Sequence, residues 1–338
     1  MLIVFRFDAS SAIGGGHAVR CAALAAELAR RGHRCGFAAN EAGADLAGAV
    51  LPDAEILRVS DDRDLTEMTA HWPNGPDWLV VDHYGRGVSF ERSARGWSRG
   101  VLAVDDLPAR THDSDILLDQ TMDRSATEYR ALVNSDCKLL TGVEYTLLRE
   151  EFRTHRPVAL ARRAALPQLP RIVISFGASD PGKGTLRTLD ALRDVARPMR
   201  IDVLVGRLCP HLGEIETAVQ NESRATWFLD PASVASHFAN ADVAIGAPGM
   251  TAWERACLGL PAIVIPVAGN QTDNVAALAR RGAVVALSAI SVVTREEIAS
   301  AVSSLLYHPA HWRAMSQTAS RLLDGDGVRR VADAMVGA

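Results

Sequence analysis

The sequence lacks the features that would assign the chain at once to a membrane, secreted or nucleic-acid-binding class. Its five cysteines include no C-x-x-C pair, and such a scattered set is typical of reduced, packing thiols in a cytosolic protein. No stretch approaches the ~20 apolar residues that span a bilayer, and the chain begins on a predicted strand without a signal peptide. A net charge of -4 gives no electrostatic case for nucleic acid or an anionic membrane. We therefore expect a cytoplasmic globular protein that binds neither.

What the sequence does contain is an alternation of apolar runs and helical patterns, repeated in two halves. Its 338 residues suffice for two cores. Strands are predicted at 2–7, 34–38, 78–81, 101–104, 116–118, 172–176, 201–205, 226–229, 242–245 and 262–266. The segment between the halves mixes proline and arginine, which is typical of a linker.

This alternation predicts an α/β protein with two doubly wound, Rossmann-like parallel sheets. We expect an N-terminal domain at 1–155, a linker at 156–170 and a C-terminal domain at 171–338. Ligands of such sheets bind at the carboxyl ends of the strands, so the site is expected in a central cleft that the two domains face.

Three glycines and a histidine, Gly14, Gly15, Gly16 and His17, connect the first predicted strand to the first predicted helix. Glycines at such a turn let a ligand approach the backbone beside the positive end of the helix dipole. The spacing differs from G-x-G-x-x-G, so it does not indicate a dinucleotide site. For the glycines alone, a tight turn followed by a surface histidine is the simpler interpretation.

The second half repeats this arrangement at 175–185, where a strand leads into a glycine-rich loop and a helix. Small residues expose backbone N–H groups, and the hydroxyls of Ser179 and Thr185 are candidate donors to a phosphate. The loop lacks the G-x-x-x-x-G-K-[ST] spacing, so neither a P-loop nor a magnesium site is expected. Lys183 is a candidate phosphate partner, although an exposed loop lysine is more often only solvated.

A longer pattern from 227 to 274 consists of a strand, a second strand with a small-residue loop, a helix carrying Glu254, and a third strand. This order resembles the nucleotide-sugar domain of the GT-B superfamily, particularly the MurG-like N-acetylglucosaminyltransferases. The resemblance implies that Glu254 binds the ribose hydroxyls of UDP, whereas without it a solvent-facing residue would be the better interpretation. It also implies a GT-B fold for the whole chain.

Further residues of the same segment receive roles through this resemblance. The loop and helix N-terminus at Gly249, Met250 and Thr251 are expected to cradle the pyrophosphate, and the loop after Leu229 to face the uracil. Amide side chains are candidate partners of phosphates or N-acetyl groups at Asn270, Gln271 and Asn274.

Motifs in the N-terminal half indicate which family of the GT-B superfamily the chain resembles. Residues 6–20 run Arg-Phe-Asp-Ala-Ser-Ser-Ala-Ile-Gly-Gly-Gly-His-Ala-Val-Arg, which is similar to the opening of the UDP-sugar hydrolase of pseudaminic acid biosynthesis. Stretches at 81–85, 104–106, 145–152 and 175–185 agree with that family in the same order. In the last stretch, Ala178 stands where the family usually has the second glycine of Gly-Gly-x-Asp-Pro. The resemblance therefore covers nearly the whole chain.

That resemblance implies hydrolysis of UDP-2,4-diacetamido-2,4,6-trideoxy-β-L-altropyranose to UDP and the free sugar, with no metal and no cofactor. It places the catalytic histidine at His17. An imidazole is suited to deprotonating a water molecule near neutral pH. Attack opposite UDP inverts the anomeric centre, and a small-molecule UDP-sugar is the only partner implied.

Supporting roles follow for nearby polar residues. Asp8 is a candidate for holding the His17 ring or the water, although an aspartate just past a strand is also an ordinary turn residue. Arg20 either meets the substrate or pairs with an acidic neighbour, Tyr84 is expected to face the sugar, and Ser179 and Asp180 belong to the expected phosphate loop. Turns and hydrogen bonds, rather than a metal site, are predicted for Asp82, His83, Asp105 and Asp106.

Other functions stay open at this point. A GT-B glycosyltransferase would pass the sugar from UDP to an acceptor, although no apolar and basic membrane-facing stretch is concentrated in the N-terminal half. A hydrolase of a related UDP-2,4-diacetamido sugar and a hydrolysing UDP-sugar 2-epimerase are further possibilities, the epimerase requiring additional acid–base carboxylates. A nucleotide-sugar sensor would need the UDP loops but not His17.

Overall fold

Apolar runs form the strands of two parallel sheets, one in each of two units of the chain. The computed structural model of the protein describes residues 1–10, 14–60, 64–180, 182–267 and 272–337. The first unit comprises Met1–Glu150 and Gly325–Ala338, and the second comprises Glu151–Asp324. Both units are built as a parallel sheet with helical crossovers, as the alternation of the sequence predicts.

The first unit contains seven strands. In chain order its elements are β1 (Leu2–Phe7), α1 (Gly16–Arg30), β2 (Arg34–Ala39), α2 (Glu41–Val50), β3 (Glu55–Arg58), α3 (Asp64–His71), β4 (Trp78–Asp82), α4 (Val88–Ala94), β5 (Gly100–Val104), β6 (Ile116–Asp119) and β7 (Lys138–Thr141). The strand order is β3-β2-β1-β4-β5-β6-β7, with every pair parallel. The order reverses between β1 and β4, and ligands of doubly wound sheets bind at the carboxyl ends beside such a reversal.

The second unit contains six strands. Its elements are α5 (Glu150–Arg162), β8 (Arg171–Ser175), α6 (Gly184–Leu192), β9 (Arg200–Val205), α7 (Leu212–Gln220), β10 (Ala225–Leu229), α8 (Val234–Asn240), β11 (Val243–Gly246), α9 (Met250–Cys257), β12 (Ala262–Val264), α10 (Thr272–Arg280), β13 (Val284–Ala286), α11 (Arg295–Tyr307) and α12 (Pro309–Leu322). The order is β10-β9-β8-β11-β12-β13, again parallel throughout. Here the reversal lies between β8 and β11.

All the strands predicted from the sequence are present, and the structure adds β3, β7 and β13. Each of these three is an edge strand of its sheet. Their residues are mostly half-buried or exposed. β3 and β7 begin with a charged residue, and β13 has only three residues, so none of them shows the longer apolar run that marks a strand buried on both faces.

The expected linker at 156–170 is partly helical, because α5 continues to Arg162. Two observations explain why the proline and arginines of this segment do not prevent the helix from forming. Phe152 and Ala159 of α5 are fully buried, and the Arg156 guanidinium donates to the backbone carbonyl of Cys257. The helix therefore packs as part of the second unit, which begins at Glu151 rather than at residue 171.

The expected C-terminal domain at 171–338 also ends earlier in the structure. The last helix, α13 (Gly327–Val336), belongs to the first unit. Val328, Val331 and Met335 of α13 lie in the same buried cluster as β1 and α1. The apolar face of α13 is therefore buried against the first unit. Its position at the end of the sequence, after the second unit, does not predict this packing.

Two further features concern the cysteines and the length of the helices. All five cysteines are free and buried, as expected for packing residues. Among the residues that the structure describes, no helix is long and apolar enough to cross a membrane.

Candidate functional site

Three polar side chains meet at the carboxyl end of the first sheet. Asp82 ends β4, which pairs with β1 at the reversal of strand order, and His17 and Arg20 lie in the first turns of α1. The His17 Nδ1 atom is 2.6 Å from Asp82 Oδ1. Arg20 donates from Nε to Asp82 Oδ2 at 2.6 Å and from Nη2 to Oδ1 at 2.5 Å. Asp82 is 1% exposed and His17 and Arg20 are 7% exposed, so the group is largely shielded from water.

The charge of Asp82 determines which nitrogen of the His17 ring carries hydrogen. Burial alone would raise the pKa of Asp82, but Arg20 and His17 hold that pKa far below its usual range. An ionised carboxylate only accepts hydrogen bonds, so the short contact requires an N–H at His17 Nδ1. Arg20 Nη2 lies 3.2 Å from the same nitrogen, which is then a contact between two donors. In the neutral tautomer with this hydrogen on Nδ1, the free lone pair is on Nε2.

Cys21 completes the surroundings of Asp82. Its Sγ lies 3.4 Å from Asp82 Oδ2. Burial and the nearby carboxylate raise the pKa of the Cys21 thiol well above its ordinary value, so the thiol stays protonated and donates. Asp82 is thus held by three side chains of α1, and it fixes the tautomer and orientation of His17.

Asp8 has partners other than the His17 ring, so the predicted contact between those two residues is replaced by the one with Asp82. Asp8 accepts from Arg6 Nη1 at 2.5 Å and from the backbone N–H of Asn40 at 2.9 Å. His83 Nε2 lies 2.9 Å from its other oxygen. Burial opposes ionisation, yet His83 and Arg6 hold the pKa of Asp8 well below its usual range. Asp8 therefore ties β1 to the starts of the loops after β2 and β4.

Tyr84 lies beside His17, as expected for a residue just past β4. The two rings meet edge to face with centroids 5.1 Å apart. The Tyr84 hydroxyl donates to Asp106 Oδ2 at 2.9 Å, and burial with this carboxylate raises the pKa of the phenol. Tyr84 is 39% exposed, so part of the ring remains free to contact a ligand.

The glycine turn sets the entry into α1. Gly14 has φ +77°, and its N–H donates to the Ser10 carbonyl at 2.8 Å. Gly15 is the N-cap of α1 without a side-chain cap, and Gly16 is the first helical residue. A left-handed φ favours glycine at position 14, and uncapped N–H groups at a helix start favour a negative or polar ligand. His17 projects from this helix start.

In the second unit, the predicted phosphate loop at 175–185 is partly filled by its own carboxylate. Asp180 Oδ1 accepts from the backbone N–H of Gly184 at 2.7 Å, and Oδ2 from that of Thr185 at 3.0 Å. These N–H groups at the start of α6 are therefore already bonded, and Asp180 is 2% exposed. Asp180 therefore caps the start of α6, and its substrate-binding role stays a prediction. Lys183 pairs with Glu214 at 2.8 Å, in line with the solvated-lysine interpretation.

The N-cap residue of α9 is a glycine, which has no side chain that could cap the helix. Gly249 is its N-cap, followed by Met250 and Thr251. The Thr251 hydroxyl donates to the Ala247 carbonyl at 3.1 Å. Glu254 is 4% exposed, so the structure rejects the solvent-facing interpretation of this residue. A helix N-terminus with a buried carboxylate one turn along can receive a phosphate and hydroxyl donors together.

The remaining predicted residues are dispersed or fall outside the described part. Leu229 ends β10 and is 47% exposed, and Ser179 is 8% exposed. Asn274 lies half-buried in α10. Asn270 and Gln271 lie outside the described residues.

Asp82 is the functional candidate that the sequence did not single out. The sequence predicts hydrogen bonding at this strand end but does not connect it to His17, which is distant in the chain. The signal lies in strand order, because only β4 brings a strand end beside β1 at the reversal. When the order of strands is not known, Asp8 is the candidate partner of His17, because it is closer to His17 in the sequence.

A cavity of about 480 Å³ in the second unit contains none of the predicted site residues. It lies among the starts of β8 and β9 and the helix α8, and its polar lining includes Arg171, Arg200 and His237. Arg171 is paired with Asp202 at 2.8 Å. The paired charges make this cavity a polar recess of the fold rather than the site of the expected chemistry.

Comparison with known sequences gives partial matches. The family model of UDP-glucoronosyl and UDP-glucosyl transferase matches residues 243–322. The chain is 30% identical over 156 residues to the UDP-2,4-diacetamido-2,4,6-trideoxy-beta-L-altropyranose hydrolase of Campylobacter jejuni, covering 45% of this chain and 53% of that protein. It is 25% identical over 278 residues to the uncharacterized protein MJ1062 of Methanocaldococcus jannaschii, covering 78% and 55%. The chain thus spans about half the length of these curated relatives.

Solved structures match over the entire chain. MurG of Acinetobacter baumannii superposes with a TM-score of 0.69 at 16% identity, covering 99% of both chains. The UDP-GlcNAc 2-epimerase of Neisseria meningitidis, bound to UDP-GlcNAc, superposes with a TM-score of 0.65 at 12% identity, covering 100% of both. The expected fold class is confirmed: the chain has the GT-B fold, with two Rossmann-like parallel-sheet units.

Proposed function

We propose that the protein is a UDP-sugar hydrolase that cleaves UDP-2,4-diacetamido-2,4,6-trideoxy-β-L-altropyranose, or a close relative of it, to UDP and the free sugar. The observation that carries this proposal is the 2.6 Å contact between His17 Nδ1 and the ionised Asp82. It leaves Nε2 as a proton acceptor at the start of α1. The partial match to the Campylobacter jejuni hydrolase supports the choice of substrate.

In the proposed reaction, His17 Nε2 takes a proton from a water molecule as the water oxygen bonds to the anomeric carbon. The bond between that carbon and the β-phosphate oxygen breaks, and its electron pair leaves with UDP. Asp82 stabilises the imidazolium that forms, since it accepts from Nδ1. Water and UDP occupy opposite faces of the sugar, so the anomeric configuration inverts.

Recognition of UDP is assigned to the second unit. The positive end of the α9 dipole, at its N-cap Gly249, attracts the diphosphate, and Glu254 offers carboxylate oxygens to the ribose hydroxyls. UDP is a stable anion, so its departure needs positive potential more than a strong general acid.

A GT-B glycosyltransferase is the second candidate. It is favoured by the match of residues 243–322 to the UDP-glucoronosyl and UDP-glucosyl transferase model. In that case His17 would deprotonate an acceptor hydroxyl instead of water, with the same second-unit contacts.

UDP release distinguishes these functions. Purified protein is incubated with the UDP-2,4-diacetamido sugar in EDTA without an acceptor, and UDP and free sugar are followed by chromatography. We expect stoichiometric UDP and free sugar. UDP formed only after addition of an acceptor would indicate transfer, a 2-epimer of the sugar would indicate epimerisation, and no product would reject the hydrolase.

The base is tested by His17→Ala. We expect kcat to fall by about 10²-fold or more, because the proton acceptor is removed, while the Kd for UDP stays within about twofold of wild type. His33→Ala is the matched control, since His33 lies just past the other end of α1. Equal rates for His17→Ala and wild type would exclude His17 as the base.

A further inference from the structure

Arg255 is a buried cation to which the proposed chemistry assigns no role. It lies in the second turn of α9 and is 1% exposed. Its Nη2 donates to the Ala247 carbonyl at 2.6 Å, whereas Nε and Nη1 have no hydrogen-bond partner among the residues that the structure describes. Burial lowers the pKa of Arg255 to about 10, which leaves the guanidinium charged near neutral pH.

The guanidinium lies against the strand ends where the order of the second sheet reverses. Gly246 ends β11 and pairs with Ser175, which ends β8. A Cβ at Gly246 would stand 3.1 Å from Arg255 Nη1 and 1.8 Å from the Ser175 carbonyl oxygen. Arg255 Nη1 is therefore packed against the first residue of the loop that leads into α9.

A second buried arginine in the same unit shows what a structural role looks like. Arg163 is 4% exposed, and burial lowers its pKa to about 9. It donates to the carbonyls of Ala159, Phe238 and Ala241 at 2.6, 2.7 and 3.1 Å. Arg255 has one such carbonyl, so its burial is poorly compensated within the fold.

We propose that Arg255 is a specificity-determining residue whose charge, acting across the 246–249 loop, attracts the diphosphate of the nucleotide. The inference rests on the proposed function. It explains why the free-energy cost of burying the Arg255 guanidinium is not offset by hydrogen bonds within the fold. The two phosphates of the nucleotide would supply negative charge opposite the guanidinium. The attraction between such charges is screened less in a buried site than in water. The adjacent Glu254 favours the charged form of Arg255, but burial opposes that form more strongly. The dipole of α9, whose N-cap is Gly249, adds positive potential at the same loop.

The test compares UDP with uridine, which lacks the phosphates. Their Kd values are measured by isothermal titration for wild type, Arg255→Met, Arg255→Lys and Arg163→Met, with melting temperatures of the ligand-free proteins. We expect Arg255→Met to weaken UDP binding about tenfold or more, with uridine binding changed less than about twofold. Arg255→Lys retains part of the UDP affinity because it keeps the charge.

The ligand-free melting temperatures should fall by different amounts. Arg163→Met removes hydrogen bonds to three carbonyls and melts well below wild type while binding UDP normally, whereas Arg255→Met removes a hydrogen bond to one carbonyl and melts closer to wild type. The inference about Arg255, but not the proposed function, would be overturned if Arg255→Met bound UDP as tightly as wild type. The same holds if the variant bound UDP and uridine more weakly by the same factor. Wild-type protein that binds neither ligand would overturn the proposed function as well.

Discussion

At the scale of single residues, the site depends on one carboxylate that binds an imidazole, a guanidinium and a thiol. Asp82 is fully buried and accepts from His17, Arg20 and Cys21. Arg20 balances its charge, which makes the burial tolerable, and His17 takes its tautomer from it. Asp82 is therefore a positioning residue for the proposed base.

Asp82→Asn tests that role at nearly constant side-chain volume. An amide in place of the carboxylate no longer requires the hydrogen on Nδ1, and it cannot stabilise an imidazolium. We expect kcat to fall by about 10²-fold with little change in the Kd for UDP.

The control is Asp77→Asn, because Asp77 lies just before β4, at the opposite end of the same strand, and binds the Leu2 N–H. It should change kcat less than about twofold. Rates are compared at temperatures where circular dichroism shows both variants folded, and a fully active Asp82→Asn would contradict the assignment.

The sequence supplied part of this site and missed the rest for a definite reason. His17 and the glycine turn are adjacent in the chain, so a motif can show them. The contact of His17 with Asp82 joins residues 65 positions apart and depends on β4 pairing with β1. The capping role of Asp180 was not predicted, because its side chain and a phosphate suit the same N–H groups and composition does not show which of them binds there.

At the scale of elements, every interior strand was predicted from the sequence, but of the four edge strands only β10 was. Each interior strand is a short apolar run, whereas β3 and β7 carry exposed charged residues, and β13 is three residues long and only partly buried. The connections are less predictable still, because they are held by side chains distant in the sequence. The loop between β5 and β6 is an example: His112 contacts Glu91 of α4 at 2.7 Å and Asp105 at 3.2 Å.

This loop should make the stability of the first unit depend on pH. Burial would lower the pKa of His112, but Asp105 and Glu91 raise it from 6.5 to about 9. Because the folded value exceeds the unfolded one, the charged ring stabilises the fold fully below about pH 6.5. That contribution is lost as the pH rises through about 9. Arg110, which donates to Asp105 at 2.6 Å, keeps this carboxylate charged throughout.

The measurement is the melting temperature of wild type and His112→Gln between about pH 6 and pH 10, a range that brackets the unfolded and folded pKa values of His112. The variant should melt below wild type at pH 6, with the difference shrinking towards pH 10. His71→Gln removes an exposed pair with Glu55 and serves as the control, which should show little pH-dependent difference. A constant difference for His112→Gln across the range would refute the ion-pair account.

At the scale of the whole molecule, the first unit is closed by a segment from the other end of the chain. Gly327 begins α13, and a Cβ there would stand 2.3 Å from the Thr146 carbonyl oxygen and 2.6 Å from its nitrogen. The first unit therefore depends on residues that follow the second unit in sequence.

Gly327→Ala should consequently destabilise the first unit alone. Overpacking against backbone costs about 1–3 kcal/mol, so amide hydrogen exchange should accelerate in Met1–Glu150 and stay unchanged in Glu151–Asp324. Gly213→Ala in α7 is the matched control, since no atom lies within 4 Å of its Cβ position and alanine favours a helix. Exchange that accelerates equally in both units would contradict the assignment of α13.

The buried thiols give each unit its own natural chemical reporter. Cys21, Cys35 and Cys137 lie in the first unit, and Cys209 and Cys257 in the second. An alkylating reagent needs both access and a thiolate, and burial denies access and raises the pKa of Cys35 to about 12. Alkylation sites mapped by mass spectrometry would therefore time the opening of each half of the molecule without any introduced label.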